Sequence, residues 1–267
     1  MSKLDPLTAL RRRIASADLD EYEAALEALS GVSDMAEIYS VTNFVVGRVE
    51  SEFDCVHCVP GCSECCSQLP LVTFDEWRLI LDWMQDNLTA GGRARVVRNA
   101  EALLTEGESV LPSWMRLGEV DLESPGAVDV VGEMFDNEST TCPFLFDGRC
   151  SIYPVRPLVC RSYGRMMRTE DDSLYCQPIL DKICVALDNG VDVELPLYRP
   201  YQEASYALNG DKSYFTILPV WVLSHRNRGG DISDCPVDLW GSRDWPVLDT
   251  KWGFGEAFDP ESPQPGA

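Results

Sequence analysis

Five of the chain's eleven cysteines fall between Cys55 and Cys66, in the stretch CVHCVPGCSECC. Four more, Cys142, Cys150, Cys160 and Cys176, form a second group, and Cys184 and Cys235 stand further on. No other feature narrows the fold as much, because thiols this dense either cross-link or ligate. The N-terminus, MSKLDPLTALRRRIASADLDEYEAAL, carries no apolar stretch ahead of a cleavage site. The expected compartment is therefore the cytosol, where thiols stay reduced. Eleven is also odd, so a disulfide framework would leave one cysteine over. Thiolates are soft ligands suited to zinc, Cu(I) and iron–sulfur clusters. Two of them separated by two or three residues reach one ion or one cluster face without strain, and a second pair from elsewhere closes the shell. Binding of this kind turns metal affinity into folding free energy.

The adjacent pair Cys65-Cys66 adds a constraint. Neighbouring side chains diverge by about 100° on a helix and point to opposite faces on a strand. Either one ligates while the other supports the core, or each serves a different site, and eight cysteines would suffice for two four-thiolate sites. Cys184 and Cys235, with Cys55 beside them, read as buried, inert core cysteines. His57, between Cys55 and Cys58, is either a zinc ligand or a surface neighbour. Arg156 and Arg161 flank Cys160; they either donate hydrogen bonds to thiolate or sulfide or pair with the abundant carboxylates. Tyr153 and Tyr163 read as packing residues.

Charge excludes other classes. The 267 residues hold 44 acids against 22 bases, a net charge of -22. Such a chain repels nucleic acid and anionic lipid, which need phosphate neutralisation. No run of about 18 apolar residues occurs, so no membrane span is expected. With two histidines and no G-x-S-x-G, H-E-x-x-H, P-loop or G-x-G-x-x-G, the common hydrolase, metalloprotease and nucleotide-binding signatures are missing. His225 has no obvious partner in the sequence.

The pattern along the chain is mostly helical. Leu19, Tyr22, Leu26 and Leu29 share one face at helical spacing, which reads as core packing. Ser33 is placed to cap a second helix with Met35, Ile38, Val45 and Val49 along one stripe. Thr73 and Glu76 form a capping box before a helix with Trp77, Ile80, Leu81, Met84 and Leu88 on one face. A further helix is expected after Gly91-Gly92, carrying Val97, Ala100 and Leu104. Val128–Val131 suggests a short strand. CPFLFDGRCSIY reads as a tight hairpin turning at Asp147-Gly148, and Pro154 and Pro157 stop any strand beyond it. Residues 178–188 read as helix, and 214–223, broken by Pro219, as strand or helix. The fold class expected is α+β, mainly α-helical with a short β-hairpin, organised around a cysteine-bound metal or iron–sulfur site. The divisions are an N-terminal helical segment at 1–52, a cysteine-cluster core at 53–185, an extension packed on it at 186–250, and a disordered polar tail at 251–267.

The phrases CVPGCSECC and CPFLFDGRCSIYPVRPLVCRSY resemble the two hallmarks of the CxxCxxCC, or YkgJ-like, cysteine-cluster family. The second is carried by Cys142, Pro143, Cys150, Tyr153, Arg156, Pro157, Cys160 and Arg161. The likeness covers about residues 53 to 180, and the family is described as zinc- or iron-chelating. It implies ligands among Cys58, Cys62, Cys65, Cys66, Cys142, Cys150, Cys160 and Cys176. One branch similar in motif includes the flagellin lysine N-methylase, which uses an iron–sulfur cluster and S-adenosylmethionine. Cys58, Cys62 and Cys65 also obey the C-x3-C-x2-C spacing of radical S-adenosylmethionine enzymes. Here, however, a helix precedes the motif, no alternation of strands and helices follows, and Cys66 is available to fill the open iron.

The function expected is cytosolic binding of an iron–sulfur cluster, [4Fe-4S] in the first place, for redox chemistry or in support of a partner enzyme. The alternatives are S-adenosylmethionine-dependent modification, such as N-methylation of a protein substrate, and a structural or storage zinc protein. Aromatic and leucine residues around the cysteines favour a buried site over storage. A protein partner or protein substrate is expected, and neither nucleic acid nor membrane.

Overall fold

The computed structural model describes residues 21–57, 61–67, 69–105, 141–167, 177–208, 215–226 and 230–232. Its elements, in chain order, are α1 (Glu21–Leu29), α2 (Met35–Glu52), β1 (Leu71–Thr73), α3 (Phe74–Asn87), α4 (Ala90–Thr105), β2 (Leu145–Phe146), β3 (Arg149–Cys150), α5 (Leu158–Ser162), α6 (Gln177–Asp188), α7 (Arg199–Ala207), β4 (Phe215–Ile217) and α8 (Leu218–Ser224). Short 3-10 turns occupy Asp54–Val56, Glu64–Cys66 and Tyr153–Val155. The described chain is thus mainly helical with two small two-stranded sheets. None of its helices is long and apolar enough to cross a membrane. The suggested strand at 128–131, the tail at 251–267, Leu19, Cys58, Cys176 and Cys235 lie outside the described residues.

Two compact units emerge, each assembled from separate stretches. The first takes Met1–Cys65, Arg78–Ile80 and Phe146–Ser213, and the second Cys66–Trp77, Leu81–Leu145 and Tyr214–Ala267.

In the first unit α2 is the central helix. Ile38, Val41, Val45 and Val46 from its inner face pack with Leu158, Met166, Tyr198 and Tyr201. Burying each such large apolar side chain contributes about 1.5–3 kcal/mol before the entropy of ordering it. The cap of α2 is Asp34 rather than Ser33. The Asp34 carboxylate accepts from the Glu37 N–H at 2.9 Å, while Ser33 donates its N–H and its hydroxyl to Glu37 Oε2 at 2.6 and 3.0 Å. A carboxylate one residue nearer the helix wins because it meets the bare N–H groups and the positive helix end together. The expected buried face of α1 is also rotated. Ala24, Ala25 and Leu29 are buried, whereas Leu26 stays 44% exposed. The small alanines occupy the side of α1 turned to the core, and Leu26 faces outward.

In the second unit β1 pairs antiparallel with β4, with Leu71 opposite Ile217 and Thr73 opposite Phe215. Thr73 ends the strand and caps α3. Its hydroxyl accepts from the Glu76 N–H at 3.3 Å, and its own N–H donates to Glu76 Oε2 at 3.0 Å, which realises the capping box. Trp77, Leu81 and Met84 of α3 are buried in this unit, and Ile80 of the same helix is buried in the first, as the pattern requires. The stretch 214–223 proves to be both strand and helix. β4 runs straight into α8, and Pro219 sits in the first helical turn, where its missing N–H removes no bond. α4 begins at Ala90 and absorbs Gly91 and Gly92 in its first turn. The Thr89 hydroxyl accepts from the Gly92 N–H at 3.1 Å, and this cap outweighs the low helix propensity of the glycines.

His225 finds its partners in this unit. Its Nδ1 accepts from Trp77 Nε1 at 3.0 Å, and Trp77 stacks on Trp221 with ring centroids 6.2 Å apart. Trp221 Nε1 donates to the Val72 carbonyl at 2.9 Å. The histidine is a buried core acceptor, which nothing in its sequence neighbourhood announced.

Candidate metal centre

The first cysteine stretch begins where α2 ends. Phe53 closes that helix by donating its N–H to the Val49 carbonyl at 2.9 Å, and the chain then turns through Asp54–Val56. Val56 forms a small apolar cluster with Val49 and Ile179, and half-buried Cys55 packs against it. That contact suits a core cysteine. His57 is exposed beside Asp54, and its carbonyl accepts from Lys182 Nζ at 3.3 Å. Gly61 then takes φ +86°, a left-handed conformation glycine adopts at no steric cost. Past it, Cys62 is half-buried, and Glu64–Cys66 makes one 3-10 turn with Cys65 half-buried and Cys66 buried.

In a turn of three residues per revolution, neighbouring side chains point about 120° apart. Cys65 closes the first unit's N-terminal stretch, and Cys66 opens the second unit. Each meets a different member of the second cysteine group. Cys142 donates its N–H to the Cys66 carbonyl at 2.7 Å, within the second unit. Cys65 lies close enough to Cys150 to act on its ionisation, within the first.

Cys150 ends the hairpin formed by β2 and β3. Asp147 and Gly148 turn it with φ of 51° and 76°, the pair of positive angles a two-residue type I′ loop needs. Burial pushes the Cys150 thiol up, and the neighbouring Cys65 sulfur adds to the rise. The Ile152 main-chain N–H and the Arg156 and Arg161 guanidinium groups act in the opposite direction. Burial dominates, so the net direction is toward the thiol, and the N–H and the two nearby cations offset it in part in favour of the thiolate, the form that binds metal.

The two arginines differ in their surroundings. Arg161 is buried on α5 and extends its guanidinium across the loop that precedes the helix. It donates to the Arg156 carbonyl at 2.8 Å, to Asn43 Oδ1 at 2.8 Å and to the Pro154 carbonyl, and it lies 3.9 Å over the Tyr39 ring. This ties the hairpin's exit to α2 and places half-buried Cys160 one residue before the anchor. Arg156 rests 3.9 Å over the Tyr153 ring, and its Nε is buried without a hydrogen-bond partner. The Ser151 hydroxyl, next to Cys150, is likewise buried without a partner. Buried donors of this kind cost about 1–3 kcal/mol each when left unmet. An anionic sulfur-rich centre beside Cys150 would supply acceptors for both, so the residues present fit such a group.

Among the described residues, no three His, Cys, Asp or Glu side chains are grouped so as to hold one metal ion. The predicted ligands Cys62, Cys65, Cys150 and Cys160 belong to the first unit and Cys66 and Cys142 to the second, while Cys58 and Cys176 lie outside the described residues. Cys184 departs from expectation. It is exposed on α6, because the side of that helix turned to the core is the one carrying Ile179 and Ile183. Nothing in the local sequence marks Asn43 and Tyr39, which hold Arg161, or Arg165, whose buried guanidinium pairs with Glu50 at 2.7 Å. Each pair is separated by over 100 residues in sequence, and no local pattern records it.

Two cysteine stretches, joined to each other through Cys66–Cys142 and Cys65–Cys150, are the pattern that a comparison with known families can test. Residues 57–184 match the CxxCxxCC family. Its description is "putative zinc- or iron-chelating domain". The matched span includes both cysteine groups and ends inside α6. No curated protein and no solved structure matches the chain. Metal binding by the CxxCxxCC region is therefore the supported function.

Proposed function

We propose that the CxxCxxCC region holds an iron–sulfur cluster, [4Fe-4S] in the first instance, and that the chain is a cytosolic redox or helper protein. The observation that carries this reading is the surroundings of Cys150. The half-buried sulfur there accepts from the Ile152 N–H and lies near enough to Cys65, Arg156 and Arg161 to feel their charge, and Arg156 Nε and the Ser151 hydroxyl are buried without a hydrogen-bond partner. Four thiolates with the cluster's own sulfides make a dianion rich in acceptor sulfur, which suits those donors. The abundance of cysteine over histidine supports the same choice. Cys65 and Cys150 would lie at the centre, with Cys62 and Cys160 of the same unit and Cys58 and Cys176 as the further candidate ligands. Cys66 and Cys142 make a separate pair. When bound, the cluster would supply one-electron chemistry, while Arg156 and Arg161 would hold its charge.

Anaerobic purification followed by absorption spectroscopy and counts of iron and acid-labile sulfide tests the reading. A brown protein with a broad sulfide-to-iron band and equal iron and sulfide supports it. A colourless protein loaded with zinc refutes it, while leaving metal chelation intact.

A further inference from the structure

The first unit carries an apolar groove between α1 and α7. Tyr22, Leu26 and Leu29 recur at i, i+4 and i+7 along one wall, and Pro200, Ala204 and Leu208 at i, i+4 and i+8 along the other. The groove has two stretches, of about 480 and 740 Å³, which share Leu26 and Pro200. Leu26, the residue rotated out of the expected core, is 44% exposed in it, and Leu197 is 39% exposed at one end. Walls whose apolar residues repeat at helical spacing are shaped to receive the apolar stripe of another helix.

Charge narrows the occupant. Glu52 and Glu194 border the first stretch and Glu203 the second. Glu52 also accepts from the Tyr22 hydroxyl at 3.2 Å, and Glu203 is met by Arg199 at 2.7 Å. The chain as a whole carries -22. A second copy would bring the same charge and be repelled, whereas a helix with basic flanks would be attracted and oriented.

We propose that this groove docks a cationic amphipathic helix of a partner protein, with apolar residues at i, i+3, i+4 and i+7 and Lys or Arg on either side. The interaction is independent of which metal the cysteines bind.

The test uses the full-length chain and two fluorescein-labelled peptides of leucine and lysine, each about five helical turns long. One has leucines at helical spacing, and the other has the same composition scrambled. Fluorescence anisotropy should show the patterned peptide binding at least about tenfold more tightly, a difference of about 1.4 kcal/mol. Leu26→Glu and Ala204→Trp should each abolish that preference. Leu26 is already solvent-facing, so its variant should retain the parent's far-ultraviolet circular dichroism if Ala204→Trp fails to fold. Glu194→Lys should weaken binding at low salt and flatten its salt dependence. Equal binding of both peptides, or indifference to the groove variants, would overturn the proposal as simple charge attraction. A dimer in sedimentation that Leu26→Glu dissociates would overturn it in favour of a second copy. Binding only after removal of residues 1–20, which include Leu7, Leu10 and Ile14 beside Arg11–Arg13, would assign the groove to the chain's own N-terminal stretch.

Discussion

Single side chains set the chemistry around Cys150. Its half-buried sulfur accepts from an N–H and feels the charge of Cys65, Arg156 and Arg161, so its loss should matter more to metal binding than that of a cysteine placed by packing alone. Cys65→Ser and Cys150→Ser are each expected to lower bound metal per chain severalfold. Cys184→Ser, at an exposed position on α6, should leave it unchanged. Elemental analysis of the purified variants checks the contrast, and equal losses in all of them would remove Cys65 and Cys150 from the centre. A second residue-scale prediction concerns Arg93 and Asp231, which form a two-pronged pair at 2.8 and 2.9 Å. The Arg93 guanidinium holds the Asp231 carboxyl below the usual carboxylate range. A depressed folded value means that the stabilisation is full above the unfolded value, about 3.9, and is lost as pH falls through the folded one. The pair is partly exposed, so it contributes under ~1 kcal/mol. In urea titrations the stability gap between the parent and Asp231→Asn should hold steady from about pH 7 to about pH 5 and close toward about pH 3.

At the scale of elements, the joints between secondary structures matter more than their interiors. Thr73 serves β1, through its pairing with Phe215, and α3, through its cap. Thr73→Ala should cost about 1–2 kcal/mol, at the upper end for a cap because Glu76 is buried with it. Denaturant midpoints with an unchanged slope would record the loss. Gly164 performs the corresponding task after α5. It takes φ +80°, and a β-carbon there would collide with the Ile179 side chain. Gly164→Ala should destabilise by about 1–2 kcal/mol from the left-handed backbone alone, and Ile179→Val should recover part of the steric remainder in the double variant. Full additivity of the two changes would show that the contact is not limiting.

For the molecule as a whole, a net charge of -22 implies self-repulsion in the folded state. Raising NaCl from about 0.01 to about 0.15 M shortens the Debye length from about 30 to about 8 Å. The melting temperature should rise by about 2–4 °C for each kcal/mol of repulsion so screened. A flat or falling curve would mean that ion pairs such as Arg165–Glu50 outweigh the repulsion. The same charge suits the basic helix proposed for the α1–α7 groove.

Local signals were legible where one turn of chain contains both partners. The Thr73–Glu76 box, the Asp147-Gly148 hairpin and the buried stripe of α3 all follow from contacts at most four residues apart, and each formed as its pattern implied. The two cysteine groups were legible as groups in the same way, because ligand spacing is itself a local property. The outward turn of Leu26, the exposure of Cys184, the burial of His225 against Trp77 and the Asn43 and Tyr39 contacts of Arg161 had no such signature. These depend on which surfaces meet after the chain has folded back on itself. Short-range patterning determined the elements and the supply of thiols; long-range packing decided which faces are buried and which donors surround each sulfur.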